Sequence, residues 1–183
     1  SRRVSLVRSF RVALKKTGGE IITVDYDIYS SALYFSDKHY KVPLVSDPSY
    51  LETLRCICEK ENVTVIIPTI DQELLLWAEN KVPFAEKGIN VIISPPETIR
   101  TCGDKFETYQ FFKNNNLPFP RTYLPEHLTY KMDYPLFIKP RDGRGSVNSY
   151  RVKNKKELDF FMEYVPNPLV QDYLDGKEFT VDA

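Results

Sequence analysis

The residues best suited to bind a ligand or to do chemistry lie in one stretch, YPLFIKPRDGRGS, at 134–146. A short apolar run ends at Lys139, and a glycine-rich loop follows it. That loop contains Gly143, Arg144, Gly145 and Ser146. Glycine lets backbone N–H groups approach an anion closely, serine adds a hydroxyl donor, and lysine contributes a compact positive charge. These residue types together favour a site for phosphate oxygens.

The spacing in this stretch excludes two common nucleotide-binding motifs. The sequence contains no GxxxxGK[ST], so the loop is not a P-loop. Lys139 precedes the glycines and a strand-like VNSYRV follows them, whereas a dinucleotide fingerprint requires a helix at that point. A hairpin turn rich in glycine and charge explains the stretch equally well when it is taken alone.

Composition places the chain among ordinary globular proteins. It has 183 residues, of which 42% are hydrophobic and 27% are charged, which suits one domain or two small ones. Because 25 basic and 25 acidic residues cancel, no overall field attracts nucleic acid or an anionic membrane, and any anion site must be local. No apolar run approaches the roughly 20 residues of a membrane span.

The cysteines and histidines point to no metal or disulfide framework. Cys56, Cys58 and Cys102 are odd in number and form no CxxC pair, and His39 and His127 have no partner by spacing. The opening SRRVSLVRSF is interrupted by polar residues, unlike a signal peptide. We therefore predict a reduced, cytoplasmic protein without a metal site in this chain.

Helical and extended patterns alternate in the first half and predict an α/β domain over residues 1–96. The helical patterns cover 6–14 and 47–62, and PTIDQELLLWAE is a loop that runs into a helix. The extended patterns cover 21–24, 39–44, 63–67 and 89–93. The strands are close to continuous hydrophobic runs, which favours a parallel sheet covered on both faces. Asp47-Pro48 predicts the start of the second helix, with the acid as N-cap and the proline in first position.

Pro95-Pro96 marks a change of organisation, after which residues 97–183 form a second domain. Asp104 and Glu107 predict a capping box at the start of a helix with an aromatic stripe. From residue 121 the pattern becomes strand, short helix, strand, glycine loop, strand and helix. This order predicts an α+β subdomain over about 118–172.

Three pieces in this order carry a family resemblance: Asp104-Lys105, PLFIKPRDGRGS and VQDYLDGKEFTV. Together they resemble the ATP-grasp superfamily, and the last is similar to the adenine and ribose stretch of the D-alanine:D-alanine ligases. The order also fits the large subunit of carbamoyl-phosphate synthase. The resemblance implies a Rossmann-like pre-ATP-grasp domain over 1–96, then the N-terminal part of an ATP-grasp domain over 97–183 whose lid spans about 118–172.

The resemblance also implies a set of nucleotide-binding residues. They are Lys105, Lys139, Gly143, Arg144, Gly145, Ser146, Gln171, Asp172, Leu174 and Glu178. Lys105 and Lys139 would bind the ATP phosphates, and the glycine loop would close over them as a lid. The stretch from Gln171 to Leu174 would contact adenine, and Glu178 would accept the ribose hydroxyls. A side-chain role for Asp172 stays open, because the D-alanine ligases commonly have lysine there.

The first half offers two candidates for substrate contact, Asp71 and Glu73, in the loop after the strand at 63–67. The carboxyl ends of parallel strands are where open α/β sheets bind ligands. N-capping of the next helix explains Asp71 equally well. Asp25 also follows a strand, but no glycine-rich turn precedes it in the right place, so we interpret it as a cap or turn residue.

The resemblance implies an ATP-dependent ligase that activates a carboxylate as an acylphosphate for attack by an amine or similar nucleophile. Its ligands would be ATP and an unidentified small-molecule carboxylate; neither nucleic acid nor a membrane is an expected partner, and a homodimer is left open. The family holds Mg²⁺ through acidic residues beyond the ribose acid, so Mg²⁺ is expected only through residues beyond this chain. We accordingly expect an incomplete piece, inactive alone. A non-catalytic nucleotide-binding or regulatory module is the alternative, and a dinucleotide-binding protein is disfavoured by the missing GxGxxG.

Overall fold

The computed structural model describes residues 3–129, 131–143, 145–177 and 179. The chain divides into two compact units, Ser1–Ile93 and Ser94–Ala183, each with its own hydrophobic core. The predicted boundary at residue 96 lies close to this division. Within the described part of the chain, no helix is long and apolar enough to cross a membrane.

The N-terminal unit alternates helices with parallel strands, as the sequence predicts. Its elements are α1 (Val4–Leu14), β1 (Ile22–Asp25), a 3-10 turn (Ser31–Phe35), β2 (Lys38–Lys41), α2 (Tyr50–Glu61), β3 (Val65–Ile66), α3 (Asp71–Ala85) and β4 (Asn90–Val91). β1 pairs with β2 and β3 pairs with β4, both in parallel. Parallel pairing confirms the α/β class of this unit.

The core of the N-terminal unit forms between α2, α3 and the strands. Trp77 is 2% exposed and meets Phe84 edge to face, with 5.1 Å between ring centroids. From α2, Leu54 and Cys58 are buried in the same cluster, one turn apart on a single helix face. Burial of these large side chains is the main term that stabilises the unit.

One helix start was predicted wrongly. α2 begins at Tyr50 rather than at Asp47, because the Asp47 carboxylate accepts both the backbone N–H and the hydroxyl of Ser49, at 2.8 and 2.7 Å. This local bond stabilises a turn ahead of the helix. The predicted end is confirmed, since Asn62 takes a left-handed conformation with φ of 52° as the C-cap.

The C-terminal unit is an antiparallel sheet with helices, which confirms its predicted α+β character. Its elements are α4 (Pro96–Gly103), α5 (Lys105–Asn114), β5 (Thr122–Tyr123), a 3-10 turn (Pro125–His127), β6 (Leu136–Pro140), β7 (Tyr150–Val152), α6 (Lys155–Tyr164) and β8 (Pro168–Asp172). The strand order is β5-β8-β6-β7. Leu136 and Ile138 of β6, which are at most 1% exposed, lie at the centre of its core.

Two features of this unit differ from the prediction. The double proline was interpreted only as a boundary, yet Pro96 is the first residue of α4, a position that tolerates proline because its N–H would be unpaired anyway. The strand predicted over VNSYRV begins only at Tyr150. Ser146 and Asn148 have φ of 57° and 55°, so the backbone there turns instead of extending.

Candidate functional site

An open pocket of about 140 Å³ lies in the C-terminal unit beside α5 and the sheet. Its lining combines two cations, three aromatic side chains, three polar side chains and a proline: Lys105, Thr108, Tyr109, Phe112, Phe119, Pro120, Thr122, Lys139 and Gln171. Lys105, Lys139 and Gln171 are among the predicted nucleotide-binding residues, and the structure brings these three together. Small-molecule sites usually span about 300–1,000 Å³, so the pocket accommodates part of a nucleotide.

Strand alternation explains how the sheet presents these side chains. Leu136 and Ile138 point into the core, so Phe137 and Lys139 project from the other face of β6. Gln171 of β8 pairs with Phe137, and Thr122 of β5 pairs with Gln171. Residues directly opposite across a sheet share a face. Gln171 and Thr122 therefore lie on the face that carries Lys139.

Lys105 reaches the glycine loop from the first position of α5. Its Nζ donates to the carbonyl oxygens of Gly143, at 2.5 Å, and Arg141, at 3.3 Å. Its backbone N–H also donates to the Arg141 carbonyl, at 3.1 Å. A cation at a helix N-terminus is unfavourable to the helix dipole. The two loop carbonyls offset this repulsion and hold the ammonium at the edge of the loop.

Asp104 joins the helix to the loop. Its carboxylate accepts the N–H groups of Phe106 and Glu107 as the N-cap of α5, and both its oxygens accept from Nε of Arg141, at 2.8 and 2.7 Å. Although burial alone would raise the pKa of Asp104, the Arg141 hydrogen bond and the two N–H groups lower it. The capping box is only half right, because the Asp104 N–H donates to Arg100 and Glu107 faces Arg141 at 3.5 Å.

Lys139 is the second lysine of the pocket, and its charge lies in unfavourable surroundings. It is half-buried, and desolvation, followed by repulsion from Lys105, lowers its pKa. Among the described residues no hydrogen-bond acceptor or carboxylate is paired with it, and the ring centroid of Phe137 lies 5.8 Å from its Nζ. An unpaired, partly desolvated ammonium next to a second lysine fits an anionic ligand such as a nucleotide phosphate.

The glycines of the loop satisfy two different requirements. A Cβ on Gly143 would lie 2.7 Å from Cβ of the buried Pro140, so only glycine lets the loop fold back on the strand end. Gly145 has φ of 62°, which a side chain would strain, and its neighbour Ser146 adopts a similar conformation. Arg144, predicted as part of this loop, lies outside the described residues.

The predicted adenine residues separate at β8. Gln171 faces the pocket, and its Nε2 donates to Thr122 Oγ1 at 2.7 Å. Asp172 points the other way, as alternation requires, and its carboxylate accepts from Nε of Arg121 at 2.6 Å. Leu174 is exposed, and Glu178 lies outside the described residues. The roles given to these residues stay predictions, and the side chain of Asp172 is already paired with Arg121.

Sequence reasoning missed the aromatic wall of the pocket. Tyr109 and Phe112 belong to the stripe of α5 whose spacing is also typical of a packed helix face, and Tyr109 meets Phe119 edge to face at 5.0 Å. The structure describes all of α5 and buries none of its residues. Large aromatic groups that line a pocket instead of a core are suited to contact a planar ligand.

The two substrate candidates occupy different surroundings in the N-terminal unit. Asp71 is exposed and is the first residue of α3, whose N-cap is Ile70, so the N-cap alternative is not what the structure shows. Glu73 is 8% exposed, and its carboxylate accepts from donors in four residues: Tyr50, Thr69, Ile70 and Trp77. Four donors saturate a carboxylate. Substrate contact therefore stays a prediction, and for Glu73 it competes with a complete structural role.

The residue predicted as a cap or turn at the end of β1 can also be placed. Asp25 accepts the N–H of Asp27 at 3.0 Å, which confirms its interpretation as a turn residue. Within residues 3–129, 131–143, 145–177 and 179, no group of three or more His, Cys, Asp or Glu side chains is placed to hold a metal ion.

A unit of parallel strands followed by an antiparallel sheet with a glycine loop and two lysines is the architecture of an ATP-grasp protein. Family models match both units: an ATP-grasp domain over residues 102–183 and a PylC-like N-terminal domain over residues 1–92. The chain belongs to the ATP-grasp proteins that carry a PylC-like N-terminal domain.

Similar curated proteins are longer than this chain. A carbamoyl-phosphate synthase of Methanobrevibacter smithii is 22% identical over 143 residues, covering 74% of this chain and 39% of that protein. A D-alanine–D-alanine ligase of Fusobacterium nucleatum is 30% identical over 78 residues, covering 43% and 26%. The matched segments thus cover well under half the length of these relatives.

Solved structures show the same fold. The biotin carboxylase domain of Hydrogenobacter thermophilus 2-oxoglutarate carboxylase, determined with MgADP and bicarbonate, gives a TM-score of 0.71 at 19% identity over 92% of this chain and 42% of that one. An L-amino acid ligase of Bacillus licheniformis gives 0.69 at 20% identity over 88% and 40%. At these identities the likeness concerns the fold alone.

Proposed function

We propose that the chain is the ATP-binding portion of a ligase that activates a carboxylate as an acylphosphate. The observation that carries the proposal is the convergence of Lys105 and Lys139 on one pocket beside the glycine loop. No described residue accepts a hydrogen bond from the Lys139 ammonium, and the pKa of Lys139 is lowered by burial and by Lys105. A phosphate group would supply the negative charge that favours the charged form of Lys139.

In the proposal, the two lysines and the glycine loop have different roles in binding the phosphates. Lys139, fixed on β6, neutralises phosphate charge at a constant position. Lys105 exchanges its bonds to the carbonyls of Arg141 and Gly143 for phosphate oxygens, which releases the loop to close over the nucleotide. Backbone N–H groups of the loop then donate to the phosphates. Arg144 and Ser146 belong to this lid in the proposal.

The proposed chemistry proceeds in two balanced steps. A carboxylate oxygen of the substrate attacks the γ-phosphorus, the bond to the ADP oxygen breaks, and an acylphosphate forms. An amine then attacks the acyl carbon, phosphate leaves, and the amine loses a proton. The chain contributes charge neutralisation and alignment, which govern phosphoryl transfer. Mg²⁺ would be held by residues outside the described part of the chain.

The activities for which the relatives are named support the reaction class. Both D-alanine–D-alanine ligase and carbamoyl-phosphate synthase are among the similar proteins. The carboxylate itself is unidentified in the proposal, with Asp71 as the exposed candidate for its contact. The three cysteines, Cys56, Cys58 and Cys102, are free thiols, which suits the reducing cytoplasm where we place the protein.

Calorimetry of the full-length protein with ADP and Mg²⁺ tests the phosphate assignment. In Lys139→Ala we expect the affinity for ADP to fall roughly 10- to 100-fold, because a hydrogen bond to a charged group contributes about 1.5–3 kcal/mol. Lys153→Ala, at an exposed lysine of the same unit, is the matched control and should bind as the wild type does. Equal affinity in both variants would remove Lys139 from the site.

The reaction class needs a second measurement. ADP release by the full-length protein, screened over pairs of carboxylates and amines, should rise above the ATP-only background for one pair. Tight ADP binding without stimulation by any pair would favour the non-catalytic nucleotide-binding module instead.

A further inference from the structure

We infer that Thr122 is a positioning residue that fixes the orientation of the Gln171 amide and so makes the pocket select a 6-amino purine over a 6-oxo purine. The inference rests on the proposed nucleotide site and specifies how its base is chosen. It concerns residues of the C-terminal unit only.

The hydrogen-bond chain starts at a group that can only accept. Thr122 is 5% exposed, and its hydroxyl donates to the carbonyl oxygen of Pro120 at 2.9 Å. A hydroxyl has a single proton, so this bond leaves Thr122 Oγ1 with lone pairs alone for any other partner. The oxygen therefore requires a donor from Gln171.

That requirement decides which way the amide of Gln171 lies. Its NH₂ group must face Thr122, and Nε2 does lie 2.7 Å from Oγ1. The opposite orientation would place two acceptors, Oε1 and Oγ1, against each other and break the chain. A buried hydroxyl thus removes the freedom that an amide side chain normally has.

The fixed amide offers its carbonyl to the pocket. Among the described residues no donor is bonded to Gln171 Oε1, and no buried polar side-chain atom is left without a partner. Oε1 is therefore open to solvent, on a residue that lines the pocket. An open acceptor beside the aromatic wall of Tyr109 and Phe119 suits a planar base that presents an amino group.

The two classes of purine differ in the group they present to such an acceptor. Adenine has an exocyclic amine, which donates, whereas guanine and hypoxanthine have a carbonyl oxygen at the same place. A carbonyl against Oε1 would leave two acceptors unpaired in a partly desolvated site. Selectivity of this kind depends on the orientation of Gln171, and hence on the hydroxyl of Thr122.

The test compares ADP with IDP, which differ at this group, by calorimetry on the full-length protein with Mg²⁺. Thr122→Val keeps the shape of the side chain and removes its hydroxyl, so the amide becomes free to turn. We expect the ratio of the IDP to the ADP dissociation constant to fall roughly tenfold, since an unpaired buried polar group costs on the order of 1.4 kcal/mol. Thr122→Ser, which keeps the hydroxyl, should retain the wild-type ratio.

A second background isolates the orientation from general damage. In Gln171→Glu both arms of the side chain accept, so there is no amide to turn. Adding Thr122→Val to that variant should leave the IDP to ADP ratio within about twofold of its parent, because the effect operates through the amide. If Thr122→Val does not fold, Thr122→Ala removes the same hydroxyl in a smaller side chain and takes its place.

The outcomes separate this inference from the proposed function. If wild-type protein binds neither nucleotide, the proposed nucleotide site is wrong. If it binds ADP and Thr122→Val weakens both nucleotides equally, Thr122 is merely structural and the inference is overturned. Loss of selectivity in Thr122→Val, with retention in Thr122→Ser, supports it.

Discussion

Buried charged side chains in the two units of this chain have contrasting surroundings at Glu73 and at Lys139. In the N-terminal unit the buried carboxylate of Glu73 receives four donors, and that of Glu61 receives Lys38 at 2.8 Å and the hydroxyl of Tyr40. In the C-terminal unit, Lys139 is half-buried beside Lys105 with no acceptor recorded among the described residues. These carboxylates of the N-terminal unit are paired internally, whereas Lys139 of the C-terminal unit has no counter-charge among the described residues.

The number of partners that a charged group already has, and not how deeply it is buried, distinguishes the structural role of Glu73 from the binding role proposed for Lys139. Glu73 is the more buried of the two groups, yet it has no remaining capacity for a substrate. Lys139 is more accessible, yet burial and Lys105 disfavour its charged form, which a bound anion would favour. Mutation of the first should therefore reduce stability, and mutation of the second should reduce binding.

The largest effect is expected at Glu73. Glu73→Ala leaves the Tyr50 hydroxyl, the Trp77 indole N–H and two backbone N–H groups without their acceptor. We expect the free energy of unfolding of the N-terminal unit to fall by roughly 3–5 kcal/mol, as when one partner of a buried charged network is removed. Urea denaturation followed by Trp77 fluorescence measures it, because the indole lies in the affected core.

Glu86→Ala provides the comparison for this variant, since Glu86 is exposed in the same unit and should change stability by less than about 0.5 kcal/mol. Nucleotide affinity should survive in any Glu73 variant that remains folded. A Glu73→Ala protein of near wild-type stability would contradict the structural role and return Glu73 to the substrate candidates.

A smaller effect is expected at Asp104, whose carboxylate is paired within the C-terminal unit. Asp104→Ala removes the N-cap of α5 and the partner of Arg141, and we expect a loss of about 2 kcal/mol in the unfolding free energy of the C-terminal unit. The pKa of Asp104 is lower in the folded than in the unfolded state. Its contribution is therefore complete above the unfolded value of 3.8 and is lost as pH falls through the folded value.

Acid titration of the C-terminal unit's stability tests this sign. Wild type should lose stability below pH 3.8 more steeply than Asp104→Asn, which has no carboxyl group to protonate. Parallel acid curves for the two proteins would mean that the Arg141 pair does not stabilise the charged form.

Much of this contrast could be predicted from local patterns, and the rest depends on contacts distant in sequence. Alternation along β6 predicts that Lys139 leaves the sheet opposite Leu136 and Ile138, and the spacing after Asp104 predicts its cap. The bond from Arg141 to Asp104 joins residues 37 apart in sequence, and no local pattern signals it.

The register of the sheet is also a tertiary result. Gln171 meets Thr122 only because β5 pairs with β8 in one particular alignment, and a shift by one residue would point Asp172 into the pocket instead. The saturation of Glu73 by Tyr50 likewise requires α2 and α3 to pack together. Sequence types identify which residues can do chemistry, whereas packing decides which of them already have partners.

The smallest expected effect is a pH dependence of ADP binding at Lys139. Its pKa is below 10.5 in the free protein because burial and Lys105 disfavour the charged form, and a bound phosphate would restore it. Between the free-state value and 10.5, binding of ADP must therefore take up a proton, and affinity should fall as pH rises through this window. Calorimetry in two buffers of different ionisation enthalpy measures that uptake directly.

Lys139→Arg is the control, because guanidinium keeps its charge throughout this range and should bind ADP without proton uptake. The same shift makes the apo protein more stable as pH rises, since the unfolded chain binds more protons in the window. Asp104 gives a rise with pH as well, but there acidification removes a favourable charge, whereas at Lys139 alkali relieves an unfavourable one. ADP should raise the free energy of unfolding, relative to the apo protein, by different amounts at the two ends of the window. An equal increase at both ends would mean that Lys139 is not the group that the ligand neutralises.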